Sequence, residues 1–253
     1  MNKHILITGG ASGIGLGIAE ALADSDTLIT VTDLNQDAAL EAAKNLSSKG
    51  YHALGVALNV TDEAAIVQLL NELPAPVDVL INNAGIQHVA ALEEFPQNQW
   101  RLLVDVMLTG TALMTKAVLP SMRERNFGRV INIGSIHSLV ASRFKSAYVA
   151  AKHGLVGFSK VMALETAEHD ITINTICPAY VKTPLVEKQI ADQAINHGIS
   201  EQQVIEQIML APMPKKSFID IAEIAHTVRF LMAKEACNIT GQTLALDGGW
   251  TAQ

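Results

Sequence analysis

The sequence predicts an α/β protein, in which a single doubly wound parallel sheet carries helices on both faces. Short β-branched, apolar runs alternate with longer segments of helical periodicity through most of the chain. The strand candidates are almost continuously apolar, as expected for strands covered on both faces. No repeat, low-complexity tract or linker divides the sequence, so we expect a single domain over 1–253.

The elements follow one another in a regular order. The predicted strands are 4–8, 28–33, 53–58, 78–84, 129–135, 172–177 and 243–247. The predicted helices between them are 14–24, 37–48, 62–72, 97–125, 146–168 and 220–234. Strict alternation of this kind indicates parallel strands joined by helical crossovers.

The segment 183–217 interrupts this alternation. It contains the amphipathic stretch PLVEKQIADQAI, a second helical pattern around 201–210 and the proline-rich LAPMPKK. An insertion just beyond a strand end is typical of a helical lid that covers a substrate, and we predict one there. A surface excursion without function is the alternative.

Composition narrows the class of protein. The apolar share is 49% and the mean hydropathy is +0.25, which is enough to build a large core. The longest apolar runs are well short of the ~18–20 residues that a membrane span needs, and MNKHILITGG is typical of neither a signal nor a transit peptide. The net charge of -7 argues against nucleic acid as a partner. Two cysteines without metal-ligand spacing favour a reduced, cytoplasmic setting and no metal.

A glycine-rich loop follows the first predicted strand and opens the first helix. In ITGGASGIGLG, Gly9, Gly13 and Gly15 allow a tight turn and bring backbone N–H groups close to a pyrophosphate at the helix N-terminus. The spacing differs from the usual Gly-x-Gly-x-x-Gly, so an ordinary tight turn is the alternative.

Asp33 at the end of the second strand indicates which dinucleotide would bind. It stands eighteen residues after Gly15, near the ~20 expected for the acid that binds the adenosine ribose. A carboxylate there repels a 2′-phosphate, so NAD is favoured over NADP. The alternative is an aspartate that caps a turn. The small and amide residues of NNAG (82–85) suit a strand end packed against a cofactor, or a turn.

KSAYVAAKH (145–153) places two lysines around one tyrosine. A free tyrosine has a pKa near ~10, and an ammonium at i+4, Lys152, is expected to lower that value. Tyr148 is therefore a candidate general base toward an alcohol. Ser135 supplies a hydroxyl that would hold the substrate oxygen. Tyrosine and lysine four residues apart also occur by chance on helices.

Over essentially its whole length, the chain resembles the short-chain dehydrogenase/reductase family. The residues that carry the resemblance are Thr8-Gly9-x-x-x-Gly13-Ile14-Gly15, Asn82-Asn83-Ala84-Gly85, Ser135, Tyr148-x-x-x-Lys152 and Pro178 with Thr183. The resemblance implies a Rossmann-type sheet of seven strands, hydride transfer with nicotinamide, catalysis by Ser135, Tyr148 and Lys152, and a homotetramer. The cofactor-binding residues expected in this way are Thr8, Gly9, Ser12, Gly13, Ile14, Gly15, Asp33, Asn59, Val60, Asn83, Ala84, Gly85, Tyr148, Lys152, Pro178, Val181 and Thr183.

Two positions depart from the family pattern. Met107 occupies the place of the usual catalytic asparagine, which is thought to hold a water that links the lysine to solvent. A thioether donates no hydrogen bond, so either other groups rebuild this relay or turnover is impaired. Asn59 stands where the family often has aspartate, and contact with adenine through an amide stays possible.

Several further stretches are similar to the bacterial members that interconvert D-3-hydroxybutyrate and acetoacetate. They are GIQH (85–88), GSIHSLVAS (134–142), KSAYVAAKHG, TPLVEKQI and the terminal DGGWTAQ. The resemblance implies a small 3-hydroxy acid as substrate and a carboxylate pocket. Its expected residues are Gln87, Ser135, His137, Lys145, Tyr148 and Gln189, with Trp250 walling the cavity. In isolation, Lys145 would be interpreted as a surface lysine, His137 as structural or exposed, and Trp250 as packing.

Two competing hypotheses remain at this point. A reductase of 3-oxoacyl thioesters would commonly favour NADPH, need an open pocket for a bulky carrier and have no use for Lys145. A nucleotide-sensing protein without catalysis is supported only by Met107, whereas Ser135, Tyr148 and Lys152 argue against it.

Overall fold

A computed structural model describes residues 3–252 of the protein and, among these, all side chains except those of Leu185, Asn196 and His197. The strands are β1 (Lys3–Thr8), β2 (Thr27–Asp33), β3 (His52–Ala57), β4 (Val79–Asn82), β5 (Gly128–Ile133), β6 (Ile171–Pro178) and β7 (Thr243–Leu246). The α-helices are α1 (Gly13–Leu22), α2 (Gln36–Ser48), α3 (Glu63–Glu72), α4 (Gln97–Val104), α5 (Gly110–Glu124), α6 (Ser146–Glu165), α7 (Pro184–His197), α8 (Glu201–Val204) and α9 (Ile221–Met232).

The seven strands form one parallel sheet in the order β3-β2-β1-β4-β5-β6-β7. The predicted fold class is therefore confirmed over the described residues; Met1, Asn2 and Gln253 of the predicted domain lie outside them. The chain progresses outward from β1 in one direction through β3, then starts again at β4 on the other side. This reversal opens a crevice beyond the carboxyl ends of β1 and β4, where ligands bind in sheets of this type.

Alternate residues of the central strand β1 are buried in different cores. Ile5 and Ile7 of β1 pack in a core that includes α1 and α9, whereas Leu6 packs in a second core with side chains of α3 and α5. Successive side chains of a strand point to opposite faces of the sheet. Because both faces are buried here, consecutive residues must be apolar, and apolar and polar residues do not alternate. The near-continuous apolar runs of the sequence have this physical origin.

The predicted helix 97–125 is divided. A π-helical segment, Asp105–Thr109, separates α4 from α5, and inserted turns of this kind are frequent at functional sites. By length and composition the whole stretch Gln97–Glu124 could cross a membrane, contrary to the sequence expectation, because several short apolar runs add up along it. Buried residues of α5, including Met114 and Met122, pack against the sheet, so we interpret the stretch as a core helix.

The segment 183–217 is largely helical. It contains α7, α8 and a second π-helical segment, Ile205–Met209, which enclose a small apolar cluster of their own around Ile190, Val204 and Met209. Thr183 accepts a hydrogen bond from the Val186 N–H and so caps the N-terminus of α7. The helical content predicted for this segment is confirmed; its role as a lid stays a prediction.

Candidate active site

A cavity of about 440 Å³ lies at the carboxyl ends of β1 and β4. The predicted cofactor residues that line it are Gly9, Ser12, Gly13, Ile14, Asp33, Asn59, Val60, Asn83, Ala84, Gly85, Tyr148, Lys152 and Thr183. Lining residues that the sequence analysis missed are Leu34, Leu58, Ile86, Val106, Ile133, Gly134 and Pro184. Most of these directly adjoin predicted residues in the chain, and their apolar character alone carries no signal of a binding role.

The glycine loop has the geometry of a cradle for phosphate. Gly9 and Gly13 lie in the left-handed region, with φ of +58° and +52°. A Cβ atom at Gly9 would stand 2.9 Å from the Cα of Ala84, so a side chain is excluded there. Ser12 precedes α1 without a side-chain cap to the helix N–H groups. These N–H groups and the positive end of the helix suit a pyrophosphate, and the loop therefore fits a dinucleotide.

Two predicted cofactor residues support the cradle from behind instead of lining it. The Thr8 hydroxyl accepts hydrogen bonds from the N–H groups of Asn83 and Ala84 at 3.0 and 3.1 Å, which joins β1 to the end of β4. The Asn83 amide donates to the carbonyls of Thr8 and Gly9. A Cβ atom at Gly15 would collide with the Gly9 carbonyl oxygen at 2.4 Å, so this glycine permits close packing.

Asp33 ends β2 and its carboxylate is held in the cavity wall by backbone groups. One oxygen accepts a hydrogen bond from the Asn35 N–H at 3.1 Å and the other from the Ala11 N–H at 3.4 Å. These bonds orient a negative charge toward the cavity, at the strand end where the ribose of a dinucleotide binds.

A second, smaller cavity of about 120 Å³ adjoins the first. It brings together Gln87, Ser135, His137, Lys145, Tyr148 and Gln189 of the predicted substrate set. Pro178 and Val181, predicted to contact the cofactor, line this cavity and not the larger one. Ile14, Gly134, Tyr148 and Thr183 line both cavities, so the two adjoin at the predicted point of chemistry.

Three elements position the predicted catalytic side chains. Ser135 lies just beyond β5 as the N-cap of a short 3₁₀ segment, Ile136–Ser138, where its hydroxyl accepts from the His137 N–H at 3.1 Å. Tyr148 and Lys152 lie one turn apart on α6. The Lys152 ammonium donates to the carbonyl of Ile133 at 2.7 Å and lies 5.8 Å from the centre of the Tyr148 ring.

Burial dominates the titration of this group of side chains. It lowers the pKa of Lys152 to about 8. It raises the pKa of Tyr148, and the hydrogen bond with Ser135 lowers that pKa by less. The predicted lowering of the Tyr148 pKa by Lys152 is therefore wrong for the protein alone. The reason is that both groups are desolvated, while the ammonium is directed to the Ile133 carbonyl.

Lys145 and His137 are two buried polar residues that line the small cavity. Lys145 is 6% and His137 is 4% exposed. Neither imidazole nitrogen has a hydrogen-bond partner within residues 3–252, and among those residues the Lys145 ammonium has no acidic partner. Burial lowers the pKa of both groups, that of His137 to about 4 with a further contribution from the Lys145 charge. Unpaired buried groups of this kind suit an anionic ligand with hydrogen-bonding oxygens.

The aromatic wall of the small cavity differs from the prediction. Tyr180 lines it, with the Lys145 ammonium 5.7 Å from the centre of its ring. Trp250, the predicted wall, lies behind: its indole stacks on Tyr180 and meets the His137 ring edge-on. The reason is that Tyr180, two residues after Pro178, lies between the Trp250 indole and the cavity. The only sequence signal for Tyr180 is that closeness to Pro178.

Met107 lies in the π-helical segment and is buried. Its side chain packs in a cluster with Leu103, Ala147, Ala151 and Tyr148. The carbonyl of Met107 accepts a hydrogen bond from the Thr111 hydroxyl at 3.0 Å. The thioether thus fills space beside the tyrosine with apolar contacts.

Fold and site together define a class of protein. A cleft at the reversal point of a parallel sheet, lined by Tyr148 and Lys152 and adjoining a cavity that Ser135 lines, is the arrangement of a nicotinamide-dependent oxidoreductase. Within residues 3–252, no group of three or more His, Cys, Asp or Glu side chains is placed to bind a metal ion.

Comparison with known proteins agrees with this class. The profile of the short chain dehydrogenase family matches residues 3–194. D-beta-hydroxybutyrate dehydrogenase of Rhizobium meliloti (strain 1021) is 43% identical over 265 residues and covers 100% of both chains. The 3-oxoacyl-(acyl-carrier-protein) reductase FabG of Vibrio harveyi is 34% identical over 250 residues, which cover 98% of this chain and 96% of that protein.

A solved structure of a tryptophan variant of actinorhodin polyketide ketoreductase with NADPH superposes with a TM-score of 0.94. It is 32% identical, and the match covers 100% of this chain and 98% of that one. The chain therefore belongs to the short-chain dehydrogenase family. It is an oxidoreductase of that family with a nicotinamide cofactor and a small-molecule substrate.

Proposed function

We propose that the protein interconverts D-3-hydroxybutyrate and acetoacetate with NAD. The observation that carries this proposal is the mostly buried Lys145, whose ammonium has no acidic partner within residues 3–252, in a small cavity that His137, Ser135 and Tyr148 also line. A carboxylate at Lys145 would neutralise a buried charge and accept hydrogen bonds from it. The similarity to the Rhizobium dehydrogenase supports the same substrate.

The proposed roles follow from this orientation. With its carboxylate at Lys145, His137 and the amides of Gln87 and Gln189, a four-carbon acid extends its oxygen at C3 toward Ser135 and Tyr148. The Ser135 hydroxyl holds that oxygen, and the Tyr148 phenol exchanges a proton with it as general base or acid.

When bound, NAD supplies the hydride acceptor, and its positive ring favours the phenolate form of Tyr148. The Lys152 ammonium lies 5.8 Å from the centre of the phenol ring, and in the complex with oxidised cofactor it would add to the attraction of the nicotinamide ring for the phenolate. The Ile133 carbonyl orients this ammonium. Loss of either Tyr148 or Lys152 would therefore impair proton transfer more than substrate binding.

Asp33 supports the choice of NAD. Its carboxylate is fixed by two backbone N–H groups in the wall of the larger cavity. A 2′-phosphate at that position would meet a like charge in a partly buried site, which is unfavourable. The ketoreductase with NADPH shares the fold, so this preference depends on the side chain at the ribose and not on the architecture.

The size of the substrate cavity separates this proposal from a thioester reductase. Its volume of about 120 Å³ is well below the roughly 300–1,000 Å³ of sites for drug-sized ligands. A carrier-bound acyl thioester would also place no carboxylate at Lys145. The similarity to FabG supports the shared chemistry of a ketone and alcohol at C3.

Setting and assembly complete the proposal. Both cysteines are free thiols, Cys177 buried and Cys237 exposed, which suits a reducing cytoplasm. We also propose a homotetramer, and a lid role for the helical segment 183–217. The lid proposal is supported by Val186 and Gln189 of α7, which reach the small cavity.

The direct test is the formation of NADH by the purified chain with D- and L-3-hydroxybutyrate, with NADP in parallel. We expect activity with the D-isomer and NAD only. Preference for a 3-oxoacyl thioester with NADPH would contradict the proposal in favour of the reductase. Binding of NAD without turnover of either substrate class would identify a nucleotide-sensing protein.

A further inference from the structure

The rear of the substrate cavity rests on the C-terminal turn, residues 247–252. Trp250 begins the 3₁₀ segment of that turn, Trp250–Ala252. Its indole stacks on Tyr180 with ring centres 6.1 Å apart and planes at 25°. It also meets His137 edge-on, with centres 6.1 Å apart and planes at 83°. Trp250 therefore acts on the cavity through two rings that line it.

One carboxylate holds this turn together. Asp247 accepts hydrogen bonds from the Gly249 N–H at 2.9 Å, from the Thr251 N–H at 2.8 Å and from the Thr251 hydroxyl at 2.6 Å. The Trp250 N–H donates to the Asp247 carbonyl at 3.2 Å. Burial raises the pKa of Asp247, but these bonds outweigh it and lower the pKa overall. The carboxylate is thus the common acceptor around which the turn is built.

The same turn is joined to the end of the helical segment. The Lys215 N–H donates to the Gly248 carbonyl at 3.1 Å. Gly248 and Gly249 have φ of +60° and +90°, a region that favours glycine. A Cβ atom at Gly249 would also approach the Pro214 ring to 3.3 Å. Residues 213–215 and the C-terminal turn consequently pack as one unit.

We infer that Asp247 is a positioning residue for the substrate: it orders the turn so that Trp250 holds His137 and Tyr180 in place. Tyr180 in turn faces the Lys145 ammonium. The inference rests on the proposed function, in which His137 and Lys145 bind the substrate carboxylate. It adds a residue that touches neither substrate nor cofactor.

The carboxylate is required in this role because of the number of bonds it accepts. Asparagine at 247 would keep the shape and one oxygen, but its nitrogen cannot accept, so either the bond from Gly249 or the two bonds from Thr251 are lost. A turn that loses these charge-assisted bonds becomes looser, and so does the indole within it. The cofactor cavity is lined by other residues and would be unaffected.

The kinetic test compares Asp247→Asn with the parent chain. We expect KM for D-3-hydroxybutyrate to rise on the order of tenfold, with KM for NAD changed less than about twofold. Thr251→Val should move KM in the same direction by less, and Thr251→Ser, which keeps the hydroxyl, should restore it. Asp24→Asn is the matched control, since Asp24 accepts from the Asp26 N–H at 2.9 Å in a turn remote from both cavities.

A spectroscopic measurement tests the positioning itself. The chain has two tryptophans, Trp100 and Trp250, so Trp250 can be observed alone in a Trp100→Phe background. Asp247→Asn should raise acrylamide quenching of Trp250 fluorescence. Thr251→Val, the milder change, serves if Asp247→Asn folds poorly, as judged from its melting temperature.

Unchanged quenching in both variants would overturn the inference, as would increased quenching with an unchanged KM for the acid. Failure of the proposed function is a separate result. If the parent chain does not oxidise D-3-hydroxybutyrate, the carboxylate assignment falls. The quenching experiment then decides alone whether Asp247 orders Trp250.

Discussion

The ammonium of Lys145 lies 5.7 Å from the centre of the Tyr180 ring, within the range of a cation–π contact. The second lysine of the same helix region, Lys152, instead donates to the Ile133 carbonyl beside Tyr148. The two cations therefore serve different ends of one site. Lys145 faces the proposed carboxylate, and Lys152 faces the proposed proton donor and acceptor.

Asp33→Ser should shift the cofactor preference. Without the carboxylate at the ribose position, we expect KM for NADP to fall on the order of tenfold or more, because a like-charge repulsion is removed. KM for D-3-hydroxybutyrate should stay unchanged. Asp37→Asn, at an exposed carboxylate in the first turn of α2, is the control. Unaltered discrimination between NAD and NADP would show that Asp33 does not face the ribose.

Lys152→Met should stabilise the protein while abolishing most turnover. Burial lowers the Lys152 pKa to about 8, so below that pH the native state holds a buried charge at a cost. Removing this charge should raise the free energy of unfolding at pH 7 by about 1–2 kcal/mol, once the loss of the hydrogen bond to the Ile133 carbonyl is subtracted.

The effect of Lys152 on the free energy of unfolding depends on pH. In the parent, stability should rise between about pH 8 and 10.5, where the unfolded lysine still binds a proton and the native one does not. The advantage of Lys152→Met should shrink across that window in chemical denaturation. Exposed Lys160 on the same helix is the control as Lys160→Met. A destabilised Lys152→Met at pH 7 would contradict the assignment.

His137 should make the protein sensitive to acid. Burial lowers its pKa to about 4, so the native state binds a proton less readily than the unfolded state. The stability that comes from a neutral His137 in the native state is fully present above about pH 6.5 and is lost as the pH falls toward 4. His137→Gln should lose less stability over this window than the parent, whereas exposed His52→Gln should behave like the parent. Parallel pH curves for all three chains would refute the buried neutral imidazole.

Met107→Asn should preserve or increase turnover. An amide at this buried position beside Tyr148 could hold a water near Lys152, which a thioether cannot. The measurement is kcat with D-3-hydroxybutyrate at saturating NAD, with Met114→Leu in the same helical stretch as a packing control. A clear fall in kcat for Met107→Asn alone would show that the methionine is no lesion in the relay.

Much of the fold and the cofactor site could be predicted because each depends on a local pattern. Strands buried on both faces, such as β1, read directly as apolar runs. The glycine loop is constrained by backbone geometry, as the φ of Gly9 and its contact with Ala84 demonstrate. Lys145 and His137 carry no local signal of burial, and their prediction depended on the family resemblance.

What could not be predicted depends on contacts between distant elements. Which of Tyr180 and Trp250 faces the cavity is decided by the packing of β6 against the C-terminal turn. The direction of the Tyr148 pKa depends on how completely α6 is desolvated. The division of 97–125 by a π-helical segment has no marker in its apolar sequence.

The most direct test of the carboxylate site is the steady-state KM of Lys145→Ala for D-3-hydroxybutyrate, with Lys160→Ala as the matched control. Loss of the Lys145 ammonium should raise that KM roughly a hundredfold, because the substrate carboxylate would be buried without a cation as its partner. KM for NAD should stay nearly unchanged. In the parent, the same KM should increase as the pH rises through the lowered pKa of Lys145. A Lys145→Ala enzyme that oxidises the free acid with the parent's KM would contradict the account.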